Sequence, residues 1–152
     1  MLNEEQYSKK TYYKYGKNLI HLFRPFTLIL LLSVSILVMA ASIIYNHIEI
    51  SLNLLIPIIG AGLSLILINA GSNIINQASD YKSDSISKPY RPIPRGKIKP
   101  VDAHSLSFII FLIALLLALR INTLFGIFIF TIAFFSVTYS LPPRIKKYLL
   151  IN

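Results

Sequence analysis

The chain has 152 residues, of which 55% are hydrophobic and only 14% are charged, whereas soluble domains carry about 25% charged residues. Lysine and arginine outnumber aspartate and glutamate by 15 to 6, and cysteine is absent, which excludes disulfides and thiolate metal sites. This length and composition indicate a single domain and exclude an ordinary soluble fold.

Four stretches without a charged residue follow one another, at residues 25–48, 50–79, 103–119 and 121–143. A membrane-spanning helix needs about 17–25 apolar residues, so each stretch is long enough to span. The sequence therefore predicts an all-α, multi-spanning membrane helix bundle with about four transmembrane helices, at about residues 25–46, 51–79, 103–119 and 122–141. Residues 1–20 are polar, and we expect a cytoplasmic tail that forms either a surface helix or a loose segment.

The basic residues cluster in alternate connections. Five precede residue 25, six lie in the predicted loop at residues 80–102 and three follow residue 143. By the positive-inside rule, we expect both termini and this loop in the cytoplasm. The rule also accounts for the basic excess, and the chain lacks the soluble aromatic platform on which single-stranded binders stack bases. We therefore expect no nucleic-acid partner.

The second predicted span carries polar side chains at helical spacing toward its end. At about 100° per residue they lie on one face of the helix, and polar groups inside a membrane must face other helices or a water-filled cavity. These residues are Asn69, Ser72, Asn73, Asn76, Asp80 and Asp84.

Within this stripe, Asn76, Asp80 and Asp84 follow one another at intervals of four residues, which places their oxygens about 6 Å apart. This spacing suits Mg²⁺, which binds through one or two carboxylates and keeps positions for water and phosphate oxygens. The alternative interpretation is a frayed helix end with solvated aspartates.

A basic, proline-rich loop follows, with the sequence Lys88-Pro89-Tyr90-Arg91-Pro92-Ile93-Pro94-Arg95-Gly96. Its prolines exclude a continuous helix over residues 85–100, and arginine binds phosphate oxygens through paired hydrogen bonds. The alternative interpretation is a stiff linker whose charge follows the positive-inside rule and contacts anionic lipid.

Together, the two segments resemble the UbiA superfamily of intramembrane prenyltransferases. That family carries N-D-x-x-D-x-x-x-D near the end of its second helix, followed by a loop like N-x-P-x-R-P-I-P-S-G. Arg24-Pro25 and the segment from Tyr139 to Lys146 also agree with the family. The resemblance covers about residues 20–152 and implies that residues 21–152 form the N-terminal half of a UbiA-type fold.

Three features depart from the family pattern. Gln77 replaces the commoner aspartate beside the asparagine, and Arg95 stands where a small residue is usual. No aspartate or glutamate follows Asp102, so the second acidic motif of the family, which belongs to its later half, is missing. Residues 149–152 are expected to begin a fifth helix that is cut short.

The resemblance implies a Mg²⁺-dependent enzyme that moves an isoprenoid group from a prenyl diphosphate to an aromatic or lipid-alcohol acceptor. Such reactions belong to the biosynthesis of quinones, chlorophyll-like compounds or archaeal-type lipids. The implied metal ligands, which are also the implied catalytic residues, are Asn76, Asp80 and Asp84. The implied diphosphate-binding residues are Lys88, Arg91, Arg95 and Arg24. The candidates for facing the cation that develops on the donor are Tyr90 and Tyr139. The alternative role of these tyrosines is to lie at the membrane interface.

Two other functions stay open at this point. The chain is alternatively a non-catalytic half-protein or remnant, which keeps a metal–diphosphate half-site and needs a partner, such as the missing C-terminal half, for activity. A small transporter or structural membrane protein with an acidic loop is the second alternative. An alcohol phosphotransferase is disfavoured, because the glycine-rich run expected before its last acidic residues is absent.

Overall fold

The computed structural model describes residues 4–142, with the side chains of residues 13, 14 and 16–142. Its six helices are α1 (Glu4–Phe23), α2 (Pro25–Tyr45), α3 (Leu52–Ser79), α4 (Tyr81–Ser87), α5 (Pro100–Ile121) and α6 (Thr123–Ser140). No strand occurs in this part of the chain. The expected start of a fifth helix, and the second half of the Tyr139–Lys146 segment, lie outside the described residues.

Four of these helices, α2, α3, α5 and α6, are long and apolar enough to cross a membrane. This result confirms the predicted all-α bundle with about four transmembrane helices. The outward surface of the bundle is apolar, as Phe26 and Leu37 of α2 illustrate with exposed fractions of 79% and 69%. Contiguous apolar surface of this kind is rare on soluble monomers, and a bilayer would cover it.

Local sequence signals fix the helix ends. Pro25 and Pro100 stand in the first turns of α2 and α5, where a missing N–H costs nothing. Asn122 alone separates α5 from α6, and its side chain accepts a hydrogen bond from the amide of Leu124 at 2.7 Å. This cap satisfies one of the free N–H groups at the start of α6.

The centre of the bundle is α3, which packs against α1, α2, α5 and α6. Two buried clusters surround it. The first cluster joins α1, α3, α5 and the loop after α4, and comprises Leu22, Ile74, Ala78, Ile93, Ile98, Ala103 and Ile110. The second cluster joins α3, α5 and α6, and comprises Ile68, Ile75, Phe111, Ala114, Ala118 and Ile129.

The first cluster decides where the basic segments lie. Leu22 of α1 is fully buried together with Ile93 and Ile98 of the loop. The end of α1 and the loop between α4 and α5 therefore lie at the same end of the bundle, beside the end of α3. Two of the basic segments that the sequence separates are thus neighbours in space.

We predict that Gly71→Ala weakens the bundle, because the ring of Phe111 in α5 packs directly against Gly71 of α3. A Cβ atom at Gly71 would lie 2.5 Å from Cε1 of Phe111, and overpacking of this kind costs about 1–3 kcal/mol. Thermal unfolding in detergent micelles measures the loss, and Phe111→Leu in the Gly71→Ala background should recover part of it.

Gly62→Ala is the matched control, since Gly62 is also a buried glycine of α3. Its Cβ would meet only Leu32 Cδ1 at 3.9 Å, so the substitution should be neutral or stabilise by about 0.5–1 kcal/mol. Equal stability of the two alanine variants would contradict the described packing of α3 on α5.

Candidate functional site

The acidic stripe continues past the end of α3 without losing its helical spacing. The amide of Asp80 donates to the carbonyl of Asn76 at 2.9 Å, and the amide of Asp84 donates to the carbonyl of Asp80 at 2.8 Å. Asp80 is the junction residue, and α4 carries Asp84. Residues 81–87 of the predicted loop are therefore helical, and the three residues stay one turn apart.

Asp84 is buried at the end of the bundle, with 4% of its surface exposed. Arg91 Nη1 donates to Asp84 Oδ2 at 2.5 Å, and Lys88 Nζ lies 3.9 Å from Asp84 Oδ1. The side chain of Arg91 is itself only 15% exposed. The predicted metal ligand and two of the predicted diphosphate-binding residues are therefore neighbours, and the pair with Arg91 neutralises both charges.

The loop after α4 is folded onto the bundle. Ile93 and Ile98 are 4% and 5% exposed and belong to the first buried cluster. Backbone hydrogen bonds join the amide of Gly96 to the carbonyl of Ile93 and the amide of Lys97 to the carbonyl of Pro92, both at 2.9 Å. A simple charged linker needs neither buried anchors nor internal turns, so this geometry favours a loop that presents its arginines at a fixed place.

A cationic cleft of about 300 Å³ lies between this loop and the start of α2. Arg24 and Arg91 line it, together with Tyr90 and Gln77. The structure thus brings together two of the predicted diphosphate-binding arginines and one of the tyrosines. Arg24 adopts a left-handed backbone conformation, with φ 56° and ψ 68°, which is uncommon outside glycine and often marks a functional position.

Gln77 holds this cleft in shape, a role that the sequence did not reveal. Its buried Nε2 donates to the carbonyl of Leu22 at 2.8 Å, two residues before Arg24. An aspartate, the commoner residue at this position of the resembling family, carries no hydrogen when ionised and could not make this bond. Gln77, which departs from the family pattern, therefore holds the segment between α1 and α2 through this hydrogen bond.

The rest of the polar stripe contacts two neighbouring helices. Asn73 Nδ2 donates to Thr27 Oγ1 of α2 at 3.0 Å, and Arg24 Nη1 donates to Asn73 Oδ1 at 3.4 Å. On the side of α6, the hydroxyls of Ser72 and Ser136 lie 2.7 Å apart. Thr27 and Ser136 were missed, because a single hydroxyl in an apolar span gives no sequence signal of its partner.

A second cleft, of about 440 Å³, opens between α3 and α6. It has no charged residue in its lining, which comprises Ser72, Asn73, Asn76, Ile132, Phe135, Ser136, Tyr139 and Ser140. The two tyrosines named from the sequence therefore line different clefts. Arg95 is exposed, and neither Arg95 nor Lys88 is among the residues that line the two clefts.

The donor atoms of the stripe fit part of a magnesium shell. Among the side chains that the structure describes, no three histidine, aspartate or glutamate residues are grouped to hold a metal ion. Two carboxylates and an amide oxygen nevertheless suit Mg²⁺, which completes its shell with water and substrate phosphates.

Comparison with known proteins agrees with this arrangement of acidic helix and basic loop. The sequence profile of the UbiA prenyltransferase family matches residues 30–152. The chain belongs to the UbiA prenyltransferase family. This match confirms the resemblance derived from the residues, and with the four apolar helices it supports a multi-pass integral membrane protein. No solved structure gives a significant match.

Several curated relatives of this UbiA family member are digeranylgeranylglyceryl phosphate synthases. The one from Methanosarcina mazei is 38% identical over 73 residues, which cover 46% of the chain and 25% of the relative. The one from Sulfurisphaera tokodaii is 38% identical over 94 residues, covering 60% of the chain and 32% of the relative. The one from Saccharolobus solfataricus is 46% identical over 56 residues, which cover 37% of the chain and 20% of the relative. The chain thus matches only a third or less of each relative's length.

We predict that Arg91→Met destabilises the UbiA bundle by roughly 3 kcal/mol. Removing one partner of a buried ion pair leaves the other charge uncompensated, which costs about 3–5 kcal/mol. We expect a value at the lower end, because Lys88 lies near Asp84 and compensates part of its charge. Unfolding in detergent micelles measures this loss of stability. The double variant Asp84→Asn/Arg91→Met should be more stable than Arg91→Met, because it leaves no unpaired buried charge.

Arg95→Met is the control, because it removes an exposed arginine from the same loop and should change stability by less than about 0.5 kcal/mol. If Arg91→Met were as stable as Arg95→Met, the buried ion pair would not be present.

Proposed function

We propose that the chain carries the diphosphate-binding part of a Mg²⁺-dependent membrane prenyltransferase that acts in archaeal-type lipid synthesis. The observation that supports it most is the cationic cleft, which Arg24 and Arg91 line and where Arg91 is paired with the buried Asp84. The donor is a prenyl diphosphate. The names of the relatives state a digeranylgeranylglyceryl phosphate product, so we propose a prenylated glycerol phosphate as the acceptor.

In this proposal the arginines bind the diphosphate. Arg91 uses Nη1 for Asp84, but a guanidinium has five N–H groups, so further donors remain for phosphate oxygens. Arg24 also lines the cleft, and arginine contacts to phosphate are strong because both groups are charged. The two side chains would hold the diphosphate and stabilise the charge that develops on it as the allylic bond breaks.

Asn76, Asp80 and Asp84 would hold Mg²⁺ at the end of α3. Magnesium, when bound, neutralises the leaving diphosphate. The hydroxyls, amides and aromatic rings of the second cleft would face the uncharged part of the substrates, with Tyr139 near the developing cation. Apolar helices around this cleft would keep water away from that cation.

We further propose that both clefts open toward the cytoplasm. The end of α1 and the basic loop lie together beside the end of α3, whereas the opposite connection between α2 and α3, residues 46–51, contains no lysine or arginine. This distribution supports a cytoplasmic position for the basic end of the bundle, by the positive-inside rule.

A binding measurement tests the proposed site. A non-hydrolysable geranylgeranyl diphosphate analogue should bind the chain in nanodiscs at least about tenfold more tightly with Mg²⁺ than with EDTA, because the metal bridges carboxylates and phosphates. Asp80→Asn/Asp84→Asn should abolish the Mg²⁺ effect. Arg24→Gln should weaken binding about tenfold in either condition, since a hydrogen bond to a charged group contributes about 1.5–3 kcal/mol.

Asp102→Asn is the matched control, because Asp102 is an exposed carboxylate in the first turn of α5. It should leave the Mg²⁺ effect intact. In sealed vesicles, inorganic pyrophosphate should compete only from the cytoplasmic face. Unchanged Mg²⁺-dependent binding in Asp80→Asn/Asp84→Asn would refute the site.

A non-catalytic half-site is the second candidate function, and one observation favours it. Asp84 is already paired with Arg91, so a proposed metal ligand and a proposed diphosphate-binding residue neutralise one another in this structure. Binding of the analogue without formation of a doubly prenylated product from a prenylated glycerol phosphate would support this candidate, whereas turnover by the chain alone would exclude it.

A further inference from the structure

The N-terminal helix α1 presents a basic face that the proposed reaction does not use. Lys14, Lys17 and His21 are exposed and stand at positions i, i+3 and i+7, which share one side of a helix. The opposite side of the helix is apolar: Leu22 is fully buried, and Leu19 and Phe23 pack against the same cluster. The part of α1 whose side chains are described, within residues 13–23, is therefore amphipathic, with its apolar side on the bundle.

The position of α1 relates this basic face to the membrane surface. Arg24 alone separates α1 from α2, which is long and apolar enough to span. Helix α1 must therefore lie where α2 enters the bilayer. Beside the basic face, Tyr13 and Ile20 are 73% and 58% exposed, seven residues apart. An exposed tyrosine and aliphatic side chain next to lysines are typical of helices that lie in the membrane interface.

We propose that this face, formed by Lys14, Lys17 and His21, binds the anionic headgroups of membrane lipids. Lysine side chains near an anionic surface each strengthen binding by about fivefold, and this face carries two described lysines with no aspartate or glutamate between residues 13 and 79 other than Glu49. The charge complementarity selects anionic over zwitterionic lipid. Binding would fix α1 against the leaflet and concentrate anionic lipids beside the cationic cleft, which His21 also lines.

The absence of tryptophan from the chain allows a direct test. Tyr13→Trp introduces a single tryptophan beside the basic face, which can be excited selectively over the tyrosines. Two nanodisc samples contain equimolar phosphatidylcholine and phosphatidylglycerol. One sample carries brominated acyl chains on the phosphatidylcholine and the other carries them on the phosphatidylglycerol, so the headgroup composition is the same in both. Brominated phosphatidylglycerol should quench the tryptophan more strongly, with a local enrichment of about fivefold or more. The preference should fall at high salt.

Two double variants in the Tyr13→Trp background distinguish binding by the basic face from attraction by the net positive charge of the protein. Lys14→Gln/Lys17→Gln should remove the preference, whereas Lys97→Gln/Lys99→Gln, which removes two exposed lysines from the loop, should keep it. Equal quenching by the two brominated lipids in the parent would overturn the proposal. So would an equal loss in both double variants. Neither result bears on diphosphate binding, which is measured separately.

Discussion

The buried ion pair between Asp84 and Arg91 is the constraint on which the candidate site depends. Asp84 belongs to α4, which extends the acidic stripe of α3, and Arg91 belongs to the proline-rich loop. A charge buried to this degree is tolerated only with a hydrogen-bonded partner. The pair therefore attaches the loop to the acidic helix, and the cationic cleft exists because the loop is held there.

Helix α3 gives the site its two sides. Its polar stripe contacts α2 through Asn73 and Thr27 and contacts α6 through Ser72 and Ser136. The cleft toward α2 is lined by arginines and the cleft toward α6 by neutral polar and aromatic groups. A prenyl diphosphate has the same division, with an anionic head and an uncharged allylic chain. This correspondence, together with membership of the UbiA prenyltransferase family, is the reason for the proposed function.

The sequence predicted the spans well, because charge-free stretches of sufficient length are a direct consequence of the bilayer. It left open whether residues 1–20 form a surface helix or a loose segment, since the ordering of α1 depends on the burial of Leu22 against residues distant in sequence. It missed α4, because the prolines after residue 88 suggested a loop that begins at Asp80. Asn76, Asp80 and Asp84 nevertheless follow one another at intervals of one helical turn in the structure, as the sequence predicted.

The partners of the charged residues could not be predicted from the sequence. Asp84 and Arg91 were each expected to contact a ligand, whereas the structure pairs them with one another, because the turns of the loop bring residue 91 back to α4. Similarly, nothing in the sequence distinguishes Arg91, which lines the cleft, from Arg95, which is exposed. The burial of Ile93 and Ile98 decides which arginine turns inward, and this burial is a property of the tertiary fold.

Hydrogen exchange of the loop amides tests the central claim most directly. The amides of Arg95, Gly96 and Lys97 donate to loop carbonyls, so they should exchange slowly in the parent chain, as amides in hydrogen-bonded turns do. Arg91→Met should expose them to rapid exchange, while Arg95→Met should leave their protection unchanged. Rapid exchange in the parent, or protection that survives in Arg91→Met, would show that the ion pair does not hold the loop on the acidic helix.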